Sequence, residues 1–146
     1  MKKIFFVLLV LFILFGCNKH TSINMNKELI SVDIAFSALS KERGMNHAFL
    51  SYVAEESVML SPNKMPIVGK DKINALFQSN DSDKEFTWEP LYADVAKSGE
   101  LGYTYGTFQI FTAGTIQKGT YVSIWKKDFK GAWKFVLDSG NDGLGE

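Results

Sequence analysis

Leu101-Gly-Tyr-Thr-Tyr-Gly-Thr-Phe-Gln-Ile-Phe-Thr112 is the stretch on which the fold turns. Its tyrosines, threonines and phenylalanines favour a strand. Gly102 and Gly106 stand four residues apart, so in a strand they share one face. Paired glycines on one face let a sheet bend sharply or let another group come close to the backbone. Strands flank this one on both sides. Lys97-Ser-Gly-Glu100 turns the chain back from a strand over Phe86 to Ala96, in which alternation puts Phe86, Trp88, Tyr92 and Ala96 on one face. Pro90 interrupts that strand without an N–H to donate, which marks an edge position or a bulge. Thr120 to Phe129 forms the next strand, Asp128-Phe-Lys-Gly131 the next turn, and Trp133 to Ser139 the last strand.

The preceding half reads as helices. Asn26 suits an N-cap, and Leu29, Val32, Phe36 and Leu39 recur at helical spacing up to Gly44. A second helix is predicted from about Asn46 to Val53 and a third over Lys70 to Gln78. Between them lies the β-leaning run Ser57 to Leu60, closed by Pro62, and Ser79 to Lys84 reads as a loop. Helices first and a meander later predict an α+β domain, a curved antiparallel sheet wrapped around about three helices. Such a sheet makes a cone with a pocket at its open mouth.

The N-terminus has another purpose. Lys2 and Lys3 precede an apolar run from Ile4 to Phe15, about 18 Å of helix, which is too short to span a bilayer and suited to a secretory signal. Leu14-Phe-Gly-Cys17 resembles the lipobox of bacterial lipoproteins, which implies cleavage after Gly16 and a lipid on Cys17. Two or more acyl chains anchor a protein stably. The expected organisation is a signal peptide at 1–16, a lipidated polar tether at 17–25 and a single domain at 26–146. Asn18 after the cysteine leans towards the outer membrane, with the domain facing the periplasm. The chain holds 16 basic and 16 acidic residues, and losing Lys2 and Lys3 leaves the mature form slightly acidic. No basic surface is left to neutralise phosphates, so no nucleic acid is expected. With Cys17 the only cysteine, the domain has no disulfide to rely on.

Phe49-Leu-Ser-Tyr-Val-Ala-Glu-Glu-Ser-Val-Met-Leu-Ser-Pro62, followed by Ile67-Val-Gly-Lys-Asp-Lys-Ile73, resembles the nuclear transport factor 2-like superfamily, which includes the ketosteroid isomerases and SnoaL-like polyketide cyclases. Glu100 to Gly106, Gly119 to Lys127 and Gly131 to Asn141 are similar to the domain of unknown function 4440 subgroup. The likeness runs from about Asn26 to Asn141 and implies a cystatin-like cone, often dimeric. The isomerase machinery does not carry over. The position matching the general base is Ser61, Phe36 and Ser37 stand where a donor tyrosine is expected, and the partner acid falls near Trp125. Proton shuttling needs carboxyl and phenol groups at those places.

Other polar groups are candidates for the pocket. Asp138 interrupts an apolar strand, on the face that alternation gives to Lys134 and Val136. Facing inward, it would be desolvated and become an acid or base; facing outward, it would pair with Lys127 or cap a turn. Trp88, Tyr92, Tyr103, Tyr105 and Trp125 carry polar tips on apolar bodies and suit a ligand lining, with His47 and Ser61 as further candidates. His20 and His47 do not make a metal-binding spacing, and no metal or cofactor is expected. The leading expectation is a membrane-anchored module binding a small, largely apolar molecule. The alternatives are an acid/base enzyme of isomerase, cyclase or hydrolase type using Asp138, and a homodimeric interaction module.

Overall fold

Gly44, at φ 85°, stops the first helix, and its N–H closes the last turn on the Ser40 carbonyl at 2.9 Å. In the computed structural model, which describes residues 18–78 and 84–144, that helix is α1, Asn18–Arg43. The signal segment, Cys17 and most of the loop at 79–83 lie outside the described residues. α1 begins eight residues before Asn26, so the stretch expected as a polar tether continues the helix. Asn26 does not cap it: its Oδ1 accepts the Val95 N–H at 2.9 Å.

The chain then forms α2 (Met45–Tyr52), β1 (Val53–Leu60), β2 (Ile67–Val68) and α3 (Lys70–Gln78). Next come β3 (Lys84–Val95), β4 (Leu101–Thr112), β5 (Thr115–Lys127) and β6 (Trp133–Asp142). The six strands make one curved sheet in the order β2-β1-β6-β5-β4-β3, antiparallel except where β1 joins β6 in parallel. The architecture is α+β, with the helices on the concave side.

β3 is an edge strand, and α1 lies along its free edge. Ser37 Oγ accepts the Trp88 N–H at 2.9 Å and donates to the Trp88 carbonyl at 2.7 Å, while Ser40 Oγ donates to the Phe86 carbonyl at 2.7 Å. With Asn26 on Val95, the helix satisfies edge groups that would otherwise template pairing with another chain. That is why polar residues stand on the helix's inner face. The buried stripe is Leu29, Asp33, Phe36, Ser37 and Ser40, whereas Val32 and Leu39 are only partly buried.

The register breaks in β1 between Val53 and Val58, and two single-residue bulges elsewhere decide which way the candidate site residues face. In β3 the pairing passes from Pro90↔Gly106 to Tyr92↔Tyr105, leaving Leu91 extra. In β6 it passes from Phe135↔Trp125 to Leu137↔Ile124, leaving Val136 extra. Each extra residue shifts alternation by one and turns everything beyond it to the other face. Phe86 and Trp88 therefore face inward with Ala93 and Val95, while Tyr92 turns out; Asp138 joins the face of Trp133 and Phe135 rather than that of Lys134 and Val136. Gly106 is required where the first bulge brings backbones together: a Cβ there would collide with the Glu89 carbonyl oxygen and come within 2.8 Å of the Tyr121 ring. A Cβ at Gly102 would come within 2.8 Å of Leu29 Cδ2, so that glycine lets α1 sit close to the sheet.

The core lies between α1, α2, α3 and the concave face. Phe36 is its centre, with ring centroids 4.9 Å from Phe49, 4.5 Å from Trp88 and 5.9 Å from Trp125. Edge-to-face pairs of this kind add about 0.5–1.5 kcal/mol each beyond the burial of their area.

Candidate functional site

Towards the open end of the cone the helices leave the sheet uncovered, and a cavity of about 230 Å³ opens to solvent there. α1 contributes Phe36, α2 Met45 and Phe49, and α3 Leu76 and Phe77. Met59 and Leu60 of β1, followed by Ser61 and Pro62, form one rim; Phe86 and Trp88 of β3 form a wall. The sheet supplies Phe108, Ile110, Tyr121, Ser123, Asp138, Gly140 and Asp142. Most of this surface is aromatic or aliphatic, with few polar groups, as in small-molecule sites generally.

Two carboxyl groups organise the polar part. The β6 bulge places Asp138 in the cavity wall, where its Oδ2 accepts a hydrogen bond from Ser123 Oγ at 2.6 Å. Burial pushes its pKa up to about 6; the Ser123 hydroxyl acts against this and repulsion from Asp33 adds to it. Asp33 lies behind the wall, fully buried on α1. Its Oδ1 accepts from the Trp88 indole N–H at 2.8 Å and its Oδ2 from the Tyr121 hydroxyl at 2.7 Å. Burial raises the Asp33 carboxyl as well, opposed by hydrogen bonds from Tyr121, Thr104 and Trp88. The Tyr121 phenol is held far above its ordinary range, first by burial and then by the charge of Asp33, so it stays protonated and donates. Asp33 thus fixes two cavity walls without reaching the cavity itself.

The candidates from sequence part into three groups. Asp138, Trp88 and Ser61 all border the cavity. Trp125 is completely buried in the core beneath it, its indole N–H donating to Thr104 Oγ1 at 2.9 Å. Tyr92, Tyr103 and Tyr105 are on the convex face, 39–44 % exposed. There the Tyr92 ring stacks on Tyr105 at 5.5 Å, with Tyr103 at 6.2 Å. The β3 bulge explains Tyr92; the inward glycines Gly102 and Gly106 put the alternate tyrosines outside. His47 is exposed on α2 and does not border the cavity. Asp138 does not pair with Lys127, whose ammonium meets Glu28 at 3.1 Å instead.

Asp33, Tyr121 and Ser123 were not singled out from sequence. Asp33 stands four residues after Leu29 and three before Phe36, so helical spacing alone aims it inward. Tyr121 and Ser123 alternate with Trp125 on the inner face of β5, two residues apart. Among the described residues no three His, Cys, Asp or Glu side chains gather to hold a metal. No lysine, arginine or histidine is among the described residues of the cavity lining. The chemistry available is that of one carboxyl that exchanges its proton near neutrality, a second carboxyl at the rim, the hydroxyls of Ser61, Tyr121 and Ser123, and an apolar enclosure.

At the level of sequence, no family model and no curated protein matches the chain. Solved structures do. A ketosteroid isomerase-like protein from Erwinia carotovora atroseptica superposes with a TM-score of 0.63 at 14 % identity, over 82 % of this chain and 96 % of that one. An LEH-like epoxide hydrolase from M. tuberculosis gives 0.60 at 12 % identity, over 82 % and 81 %. An NTF2-like protein with a cystatin-like fold from Novosphingobium aromaticivorans gives 0.67 at 15 % identity, over 85 % and 86 %. At these identities the likeness is one of architecture: the chain has the cystatin-like fold of the NTF2-like proteins.

Proposed function

We propose that the domain binds a small, largely apolar molecule in the cavity at the mouth of the cone, with one polar group of the ligand against Asp138. The observation that carries this reading is the cavity itself, enclosed by aromatic and aliphatic side chains and holding in its wall the Asp138 carboxyl, whose donor among the described residues is Ser123. A carboxyl set in so apolar a lining carries a desolvation cost that a polar or charged group of a ligand would offset. Native mass spectrometry of protein purified from membranes tests the reading. A retained small molecule, displaced when Leu60→Trp obstructs the rim, is the expected result; a spectrum free of ligand in both proteins counts against it.

The second reading is acid/base catalysis of the isomerase, cyclase or hydrolase type, favoured by an Asp138 pKa near 6. A bound molecule recovered chemically unchanged after incubation would argue for binding alone. The sequence likeness of the C-terminal strands to the domain of unknown function 4440 subgroup fits either reading.

The same proposal places the domain at the cell envelope, anchored to the membrane by lipid on Cys17 after removal of 1–16 and facing the periplasm. Palmitate labelling of the natural protein but not of Cys17→Ser is the expected outcome; equal labelling refutes it. The tyrosines on the convex face, with Leu91 and Leu101 exposed beside them, suit a homodimer contact.

A further inference from the structure

The cavity's electrostatics are one-sided. Asp138 stands in its wall, Asp142 at its exposed rim and Asp33 directly behind Trp88 and Tyr121. The cations preceding Asp138 on the chain are engaged elsewhere: Lys134 with the Ser51 carbonyl at 2.6 Å, Lys130 over the Phe129 ring at 5.4 Å and Lys127 with Glu28. The remaining walls carry the aromatic rings of Phe36, Phe49, Phe86, Trp88, Phe108 and Tyr121 beside aliphatic side chains such as Leu60, Leu76 and Ile110. Two of these rings are themselves polarised by Asp33, since Trp88 and Tyr121 both donate to it. Donation to a carboxylate leaves more electron density on the ring faces.

We infer that the cavity selects a small organic cation, a hydrophobic ammonium, whose charged nitrogen meets Asp138 while its apolar part fills the aromatic enclosure. This rests on the binding reading above and narrows its ligand class. Three features converge on it. An anion would meet Asp138, Asp142 and the field of Asp33, with no basic side chain among the described lining residues to oppose them. A neutral molecule would leave the Asp138 carboxylate desolvated with Ser123 as its donor. An ammonium gives that carboxylate a charge-assisted partner and gains from the surrounding ring faces, an arrangement that recurs wherever proteins recognise amines. The raised pKa of Asp138 fits the same picture: an acid without its counter-ion holds its proton more tightly, and a bound cation would draw the pKa back down.

The test compares two probes of nearly equal shape on the purified full-length protein, 2-phenylethylammonium and 2-phenylethanol, by isothermal titration calorimetry at pH 8. The ammonium is expected to bind at least about tenfold more tightly. In Asp138→Asn the ratio should fall towards one while the alcohol's affinity persists. Equal affinities in the natural protein, or a preference for the alcohol, overturn the cation assignment and leave the binding reading intact. Failure of both probes to bind overturns both. A preference that survives in Asp138→Asn removes Asp138 from the account. Should that variant not fold, the ratio in the natural protein decides alone.

Discussion

Asp33 and Asp138 share the concave side of one sheet, yet the protein treats them differently. Asp33 comes from a helix, is completely enclosed, and has its oxygens taken up by the Trp88 indole and the Tyr121 hydroxyl. Asp138 comes from a bulged strand, borders a cavity and receives one hydroxyl, from Ser123. Burial raises both carboxyls. The difference is in what remains for a ligand: Asp33 has spent its hydrogen-bonding capacity on holding two walls in place, and Asp138 keeps part of its own for whatever enters. A buried acid with matched donors is architecture, and one facing a cavity with fewer donors is chemistry.

The comparison is broken most forcefully at the architectural acid. Asp33→Ala leaves the Trp88 N–H and Tyr121 O–H without a buried acceptor and is expected to cost about 2–4 kcal/mol, read as a lower urea midpoint. A loss under about 0.5 kcal/mol would mean that water serves as well as the carboxyl. Tyr121→Phe removes one of those donors and is expected to cost about 1–2 kcal/mol.

Asp138→Asn should act in the opposite direction. A carboxyl whose folded-state pKa is raised, here from 3.8 to about 6, is a liability when ionised. The folded protein holds the proton to a higher pH than the unfolded chain does, so stability falls as pH rises through the window from about 4 to 6 and stays at the lower level above it. The asparagine variant escapes this and should be about 1–2 kcal/mol more stable at pH 7. Its advantage should vanish by pH 4. Chemical denaturation of both proteins across that range checks the sign, with the variant cancelling what Asp33, Asp142 and Tyr121 contribute to each. The smallest effect is expected from Ser123→Ala. Loss of that donor moves the Asp138 midpoint further up, with little change in overall stability at pH 7 beyond the one hydrogen bond.

Much of this architecture is legible in the sequence, and the failures share a cause. α3 and β4 fall on their predicted spans because Gly69, Gly99 and the polar turns punctuate the chain strongly. The α+β class, the edge position of Pro90 and the glycine-bent β4 follow from local rules. Which way a side chain faces does not follow so simply, because period-two alternation holds only until a bulge. Pro90 announces the bulge in β3, but only pairing with β4 reveals that Leu91 is the extra residue and that Tyr92 must turn outward. Nothing in Lys134-Phe-Val-Leu-Asp138 announces the second bulge; it is set by the register of β5 against β6. Asp33 escaped notice for a different reason. A search for apolar stripes passes over an acid that recurs at core spacing, and the acid's donors come from strands more than fifty residues away. Helix α1 likewise extends before Asn26 because that side chain is engaged by Val95 and is not available as a cap.

The account depends on the β6 bulge turning Asp138 into the cavity. Carbon-13 NMR of the aspartate side-chain carboxyls, with Asp138 assigned through Asp138→Asn, measures this directly in a pH titration of the ligand-free protein. A midpoint for Asp138 near 6 is the predicted result. A midpoint near 3.8 would place the carboxyl in open water, on the face that simple alternation gives it, and would contradict the site described above.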